Sequence, residues 1–283
     1  MKKIIDVRFR PPLGSFLKMT MYKNKERSVG MTKAMGLEMS PSVWKESMEL
    51  LIKEMDSLGN YRGCVSGIKR GVDPAWGWIE NEEIYEMVKK YPDRFIGVGA
   101  IDATNRIKAL EDVEKCIQEF GFKAIVIEPG THKEGMYADD RRIYPIYEKC
   151  AELGIPVFLM VGGNAGPDVS YTNPVHVEHV AIDMPELQIL IIHGGWPWVT
   201  QILHVAFRRP NLYLSADMYI TLPGGSQYIE AVNTYLSDRL LYSASYPFGP
   251  IVGYFEKFMT LGIKEEHLDK VLYQNAEKLL KLG

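Results

Sequence analysis

Two arginines near the start of the chain are the first residues whose types and spacing point to chemistry. The stretch IIDVRFRPP places Asp6, Arg8 and Arg10 at alternating positions, which predicts a short strand with these three side chains on one face. Arginine is rarely buried without a partner, and its guanidinium matches a carboxylate in bidentate fashion. The pair therefore predicts a cationic surface for an anionic substrate. The alternative is that both arginines pair internally with Glu128 and Asp217.

Three further residues with catalytic side chains follow apolar runs. His193 ends LQILIIHGG, Asp217 ends NLYLSAD, and Glu128 follows KAIVI. Imidazole suits proton transfer near neutral pH, and a carboxylate can act as a base. We predict these three as catalytic residues. The structural alternatives are a core histidine, a loop-capping aspartate and a glutamate that only orients an arginine.

The elements that position these residues repeat along the chain. Eight apolar runs, the first at 4–7 and the last RLLYSAS, are each followed by a helical segment. This order is typical of a parallel sheet. Helices are predicted at residues 41–57, 80–90, 106–120, 140–153, 197–209 and 227–235, with another opening at Asn173-Pro174. Eight such units over about 250 residues predict an α/β fold, a (β/α)8 TIM barrel.

We predict a single domain over residues 1–283, because no linker rich in Pro, Gly or Ser divides the chain. A doubly wound open sheet is the alternative, but no GxGxxG follows the first strand. Barrel active sites lie at the C-terminal ends of the strands. The predicted substrate-binding residues there are Arg8, Arg10, Asn164, Tyr171, Trp196, Ser245 and Tyr246. Lys69 and Arg70 could extend the cationic rim, whereas His176 and His179 are interpreted as a solvated helix face.

Composition excludes several classes of protein. The net charge of −3 provides no basic field for nucleic acid, and three scattered cysteines indicate no disulfide framework. Apolar runs are too short for a membrane span, and the N-terminus does not resemble a signal peptide. We therefore expect a cytoplasmic globular protein without nucleic-acid or membrane partners.

Several motifs in the same order resemble those of the amidohydrolase-related family, which includes aminocarboxymuconate-semialdehyde decarboxylase. The motifs are IIDVRFRPP, YPDRFIGVGAID, DDRRIYPIYEKCAELGIPVFLMVGG, MPELQILIIHGGWPW, LLYSASYPFGP and VLYQNAEKLLKL. The resemblance covers nearly the whole chain. It implies a metal-dependent barrel in which two first-strand histidines, a fifth-strand histidine and an eighth-strand aspartate hold a divalent ion.

This chain departs from that ligand set. Arg8 and Arg10 stand at the first-strand positions, Met160 at the fifth and Ser245 at the eighth. A guanidinium has no lone pair to donate and repels a dication. We therefore predict that no metal cofactor is used. A rearranged metal site of His193, Asp217 and Glu128 is the alternative.

The functional prediction is a metal-independent hydrolase of lactone or amide bonds, with a decarboxylase as second choice. A small carboxylated substrate would bind Arg8 and Arg10, while His193 or Asp217 would move the proton or activate water. The alternative is a catalytically silent barrel that binds an anionic metabolite. The resemblance implies a homodimer as the assembly, since relatives in this family often dimerise.

Overall fold

The computed structural model describes residues 2–69 and 77–282. The principal strands are β1 (Lys3–Phe9), β2 (Asn60–Ser66), β5 (Phe95–Ala100), β6 (Ala124–Ile127), β7 (Val157–Met160), β8 (Ile189–Ile192) and β9 (Leu212–Ser215). They form one parallel sheet in the order β1-β2-β5-β6-β7-β8-β9. A separate antiparallel pair is formed by β3 (Ile68–Lys69) and β4 (Trp78–Ile79).

The curled sheet closes through the segment predicted as the eighth strand. Leu214 of β9 pairs in parallel with Leu240, and the Val7 amide of β1 donates to the Tyr242 carbonyl at 3.2 Å. The Ala244 amide donates instead to the Asp6 carboxylate, at 3.1 Å. A side chain thus replaces part of the regular ladder. The predicted (β/α)8 barrel is confirmed, with its last strand reduced to an extended segment.

The described helices follow the strands, most of them on the outside of the sheet. They are α1 (Thr20–Lys23), α2 (Lys25–Ala34), α3 (Pro41–Trp44), α4 (Met48–Leu58), α5 (Asn81–Lys90), α6 (Arg106–Glu114), α7 (Tyr144–Glu152), α8 (Pro174–Asp183), α9 (Val199–Arg208), α10 (Ser226–Val232), α11 (Ile251–Met259), α12 (Glu265–Asp269) and α13 (Asn275–Leu280). The single helix predicted at residues 41–57 is two helices, because Glu46 has a φ of 49°. Ser47 then caps α4 by accepting from the Leu50 amide.

The core has two parts. The larger joins the sheet to the surrounding helices, and it includes Leu51 and Met55 of α4. The smaller holds strand residues such as Val98 and Met160 together with Leu279 of α13, and it fills the barrel interior. Strands buried on both faces explain why the sequence shows continuous apolar runs rather than alternation.

A β-bulge in β1 changes the predicted placement of its charged side chains. Asp6 pairs with Gly63 of β2 and Phe9 pairs with Val65, so two residues of β1 oppose one of β2. An extra residue re-aims the side chains that follow it. Asp6 therefore does not share a face with Arg8 and Arg10, contrary to the strict alternation predicted from the sequence.

Among the helices of residues 2–69 and 77–282, none combines the length and apolar character that crossing a bilayer requires.

Candidate active site

The ends of the parallel strands surround a cavity of about 380 Å³. The predicted site residues that line it are Arg8, Arg10, Glu128, Asn164, His193 and Ser245. Much of the remaining wall is apolar, with Met21, Met31, Met160, Met218, Tyr219 and Phe248. An apolar wall with a few convergent polar groups is typical of a pocket for a small organic ligand.

Arg8 is held at the closing edge of the barrel. Its Nη1 donates to the carbonyls of Ser245 and Tyr246, at 3.1 Å and 3.3 Å. Its guanidinium carbon lies 5.7 Å from the centre of the Phe248 ring, within reach of a cation–π contact. These contacts fix the guanidinium at the cavity wall.

Arg10 and Glu128 form an ion pair inside the cavity. Arg10 Nη2 lies 3.3 Å from Glu128 Oε1, and the two side chains are only 2% and 7% exposed. Tyr22 of α1 donates to the Arg10 carbonyl at 2.7 Å, which ties this strand end to the N-terminal helices. Glu128 thus pairs with an arginine, which was the alternative to a catalytic base in the sequence analysis.

His193 and Asp217 form a hydrogen-bonded dyad. His193 Nδ1 lies 2.6 Å from Asp217 Oδ2, and the Asp217 carboxylate is fully buried. Tyr254 donates to the Asp217 carbonyl at 2.6 Å, which anchors the aspartate to α11. Because Nδ1 is used, Nε2 is the ring nitrogen that remains for a ligand.

The buried oxygens without a hydrogen-bond partner among the described residues include Asp217 Oδ1 and Ser245 Oγ. Buried polar atoms usually find a partner. Ser245 also lines the cavity, so this buried hydroxyl lies at the cavity wall.

The backbone is strained at three successive strand ends. His193, Asp217 and Ser245 have φ values of 70°, 40° and 62°, in the left-handed region that side-chain-bearing residues rarely adopt. Such strain persists where the surrounding structure enforces it, and it clusters at functional sites. Here it fixes the directions of the polar side chains at the strand ends.

The other predicted binding residues lie outside the cavity lining. Tyr171 stacks on Tyr137, with ring centres 4.7 Å apart. Trp196 stacks on Tyr219 and donates to the Pro223 carbonyl. Tyr246 is buried against Phe9, and its hydroxyl lies 2.9 Å from Ser42 Oγ. These aromatic residues support the walls from behind.

The predicted cationic rim is only partly within the described residues. Lys69 is buried and pairs with Glu80, while its ammonium also lies 4.6 Å from the Trp78 ring centre. Arg70 lies outside the described residues. Lys69 belongs to β3, and its side chain contacts residues at β4. It does not line the cavity.

The N-terminal insertion contributes residues that the sequence did not reveal. Thr20, Met21, Arg27 and Met31 line the cavity from α1 and α2. This region covers residues 13–40, between β1 and α3. Its helices carry no motif, and their position over the barrel follows from packing.

The strand-end residues do not fit a divalent metal. The positions that hold ligands in the resembled family present the guanidinium groups of Arg8 and Arg10, the thioether of Met160 and the hydroxyl of Ser245. Both guanidinium groups are donors, and Arg10 is engaged with Glu128. Of the alternative set, His193 and Asp217 are hydrogen-bonded to each other, but Glu128 pairs with Arg10 and does not form a metal-ligand group with them. Among residues 2–69 and 77–282, the spacing of metal ligands is found instead in a group of side chains away from the strand ends.

That group consists of Asp139, His176 and His179, whose ligand atoms lie within 4.8 Å of one another. His176 Nδ1 lies 2.9 Å from one Asp139 oxygen, and His179 Nδ1 lies 2.6 Å from the other. Partial burial raises the pKa of Asp139, but hydrogen bonds from His179 and His176 outweigh it and hold that pKa below its usual range. The two histidines therefore do more than form a solvated face.

The sequence profile of the amidohydrolase family matches residues 72–282. The chain belongs to this family. A gamma-resorcylate decarboxylase from Polaromonas sp. (strain JS666 / ATCC BAA-500) is 24% identical over 72% of this chain and 75% of its own. A 2-amino-3-carboxymuconate-6-semialdehyde decarboxylase from Dictyostelium discoideum is 34% identical over 47% of this chain and 42% of its own. A 2-keto-4-carboxy-3-hexenedioate hydratase from Sphingobium sp. (strain NBRC 103272 / SYK-6) is 28% identical over 42% and 40%.

Solved structures share the fold over the full chain. An uncharacterized TIM-barrel protein from Bordetella bronchiseptica superposes with a TM-score of 0.94 and is 43% identical, covering 99% of both chains. A dihydroxybenzoic acid decarboxylase from Polaromonas sp. JS666, with bound manganese and 2-nitroresorcinol, has a TM-score of 0.73. It is 19% identical and covers 100% of this chain and 98% of its own.

Two findings overturn the prediction that no metal cofactor is used. A structural neighbour contains manganese, and Asp139, His176 and His179 of this chain have the spacing of a group that could hold a metal ion. The prediction was wrong because it considered only strand-end positions. Asp139 lies in a loop 37 residues before His176, a separation that no short metal motif spans.

Proposed function

We propose that the protein is a lyase that decarboxylates a small aromatic or conjugated carboxylic acid in the strand-end cavity. The observation that carries the proposal is the His193–Asp217 dyad, with its 2.6 Å hydrogen bond, in a cavity that Arg8 and Arg10 also line. The named relatives support a lyase over the hydrolase that was our first choice, because two are decarboxylases and one is a hydratase.

His193 supplies the proton in this proposal. Asp217 accepts a hydrogen bond from Nδ1–H and fixes the orientation of the ring, so that Nε2–H can donate toward the ligand. Tyr219 packs edge-on against the His193 ring, with centres 5.4 Å apart, and limits its rotation. A fixed donor that is regenerated by solvent suits a reaction in which one proton is delivered per turnover.

The arginines stabilise negative charge that develops during the reaction. An arginine bound to the departing carboxylate would stabilise the starting acid, which opposes catalysis. We therefore assign Arg8 and Arg10 to an oxygen atom conjugated with the reacting carbon, where charge increases as the bond breaks. The methionine-rich wall leaves the carboxylate in apolar surroundings, which favour its conversion into neutral CO₂.

The reaction balances without an oxidant or reductant. His193 Nε2–H first protonates the carbon that carries the carboxylate, which makes this carbon tetrahedral and draws electrons from the conjugated oxygen. The carbon–carboxylate bond then breaks, and its electron pair returns to the conjugated system to give CO₂ and an enolate or phenolate. The neutral imidazole recovers a proton from water. The products are CO₂ and the substrate with hydrogen in place of its carboxylate.

The substrate class is argued from the cavity and from the relatives. A volume of about 380 Å³ accommodates one substituted ring. Phe248, Tyr219 and four methionines offer flat and polarisable contact surfaces. Hydroxybenzoates, including 2,6-dihydroxybenzoate, and carboxymuconate-type acids are accordingly the first compounds to assay.

The test measures CO₂ release from these acids by wild type and by His193→Gln, with and without added Mn²⁺. We expect wild-type turnover in which the product formed in D₂O carries one deuterium at the former carboxylate position. Loss of the proton donor should reduce kcat by about 10²- to 10⁴-fold. His204→Gln on the exposed face of α9 is the matched control and should retain full activity.

Other outcomes would overturn the proposal. Equal turnover in wild type and His193→Gln would remove His193 from the reaction. Release of an alcohol or amine from lactones or amides, without CO₂ from acids, would restore the hydrolase. Thermal stabilisation by carboxylates without any turnover would favour the catalytically silent barrel that binds an anion. Hydration of an unsaturated dicarboxylate would instead favour a hydratase.

A further inference from the structure

We propose that Asp139, His176 and His179 form a divalent-cation site at the barrel rim that is separate from the catalytic cavity. Of the described residues, those that line the cavity include none of these three. The rim site, as we call this group, therefore goes beyond the proposed lyase activity. Its ligands come from two different parts of the chain, the loop before α7 and the helix α8.

The local structure brings the two imidazoles to one side of α8. His176 and His179 are three residues apart, a spacing that places side chains on the same helix face. Asn173 caps α8 by accepting from the Val175 amide at 3.1 Å, and Pro174 occupies its first turn. The helix start is thereby fixed close to both ligands.

The ring of His176 is also held from the opposite side. Tyr137 stacks on it with ring centres 4.2 Å apart, and Tyr137 stacks in turn on Tyr171. This aromatic stack orients His176 toward Asp139 without occupying Nδ1. Ring orientation by neighbouring groups is what metal-binding histidines need, since a free ring must be ordered when the ion binds.

The ligand chemistry suits zinc and similar ions. Two imidazole nitrogens and one carboxylate oxygen are a common protein ligand set, and a water molecule can complete a tetrahedron. His179 is 52% exposed, so solvent has access to that fourth position. Tetrahedral ligands around zinc stand about 3.3 Å apart, so the present contacts of 2.6 Å and 2.9 Å would open by less than about 1 Å.

Without an ion, the Asp139 carboxylate accepts hydrogen bonds from the Nδ1–H groups of His176 and His179. With an ion, each histidine must carry its proton on Nε2 and direct the Nδ1 lone pair to the metal. The two states use the same side chains with nearly the same positions. A shift between hydrogen bonding and coordination therefore needs no rearrangement of the backbone.

The consequence of binding would be mechanical. The loop that contains Asp139 also contributes Gly130 and Thr131 to the cavity wall. Tyr144 already links the start of α7 to Asp183 at the end of α8, with an oxygen–oxygen distance of 2.6 Å. An ion at the other end of α8 would clamp the loop at a second point and stiffen one side of the cavity.

The experiment titrates Zn²⁺ into tag-free, chelator-treated wild-type protein by calorimetry. We expect one ion per chain and a rise in Tm of roughly 5 °C at a large excess of Zn²⁺. Asp139→Asn and His176→Gln should each weaken binding at least tenfold. His204→Gln and His193→Gln should bind as wild type does. Co²⁺ in place of Zn²⁺ should give visible absorption typical of tetrahedral coordination, and Asp139→Asn should abolish it.

Two results would overturn the rim site. The first is absence of Zn²⁺ binding to the folded wild-type chain, which would leave the three residues as a hydrogen-bonded bridge. The second is binding that survives Asp139→Asn and His176→Gln but is lost in His193→Gln, which would move the ion to the cavity. Neither result depends on turnover, so the lyase proposal is tested separately.

Discussion

The barrel cavity and the rim site combine charged and polar side chains in opposite ways. In the cavity, Arg10 and Glu128 pair at 3.3 Å with exposures of 2% and 7%. At the rim, Asp139 contacts His179 at 2.6 Å, but these side chains are 19% and 52% exposed. The cavity contains fixed cations, whereas the rim contains imidazole nitrogens that could supply lone pairs to a cation once Nδ1 loses its proton.

Burial explains why the two regions should behave differently. A buried ion pair is hard to break, because the remaining charge has lost its solvent as well as its partner. An exposed pair is screened by water and contributes little. The cavity is therefore suited to hold arginines in place for an anion, and the rim can exchange a proton for a cation at small cost.

The largest expected effect in this comparison is that of Arg10→Met. The change removes the guanidinium beside Glu128 and should reduce the free energy of unfolding by about 3 kcal/mol, measured by urea denaturation. Arg106→Met on the exposed start of α6 is the control and should change stability little. Adding Glu128→Gln to Arg10→Met should recover part of the loss. If the double variant is no more stable than the single one, the charge left on Glu128 is not the cause.

An intermediate effect is expected from Asp6, which is fully buried in β1. Its carboxylate accepts from the Tyr61 and Ser243 hydroxyls, each at 2.7 Å. Burial nevertheless raises the pKa of Asp6 from 3.8 to about 6. The folded protein therefore holds the Asp6 proton more tightly than the unfolded chain does. This proton binding stabilises the fold fully below the unfolded pKa, and the stabilisation is lost as pH rises through about 6.

Between about pH 4 and about pH 7, this loss amounts to about 2 kcal/mol. Asp6→Asn removes the titration, so the variant should lose less unfolding free energy than wild type over that interval. Urea denaturation of both proteins at the two pH values measures the difference. Parallel pH dependences would show that Asp6 keeps an ordinary pKa in the folded state.

The smallest effect is expected at the rim without metal. Asp139→Asn in chelator-treated protein should change the free energy of unfolding by less than about 1 kcal/mol, because the contacts are exposed. With saturating Zn²⁺, the free energy of unfolding of Asp139→Asn should lie further below that of wild type, since only wild type is stabilised by the bound ion. A metal-free loss as large as that of Arg10→Met would remove the distinction between the two regions.

The fold and most strand-end residues were accessible from the sequence. Apolar runs alternating with helices predict the parallel barrel, and a barrel places Glu128 and His193 at one end. The side-chain directions were less accessible. The bulge in β1 separates Asp6 from Arg8 and Arg10, and such an insertion leaves no trace in a residue pattern of period two.

Several groupings of side chains could not be predicted because their members are far apart in the chain. Arg27 reaches the cavity from α2, and Asp139 meets two histidines of α8. Local patterns report secondary structure and burial, but they carry no information on which distant loop packs against which helix. The metal prediction was wrong for this reason.

By itself, the sequence determined the barrel, the arginines at the first strand end, and the arginine, methionine and serine at positions where the family has metal ligands. Each follows from local chemistry: apolar periodicity, the charge of guanidinium and its lack of lone pairs. Tertiary structure decided which acid pairs with Arg10, which nitrogen of His193 remains for a ligand, and that Asp139, His176 and His179 converge. These are distances between remote residues, and only packing sets them.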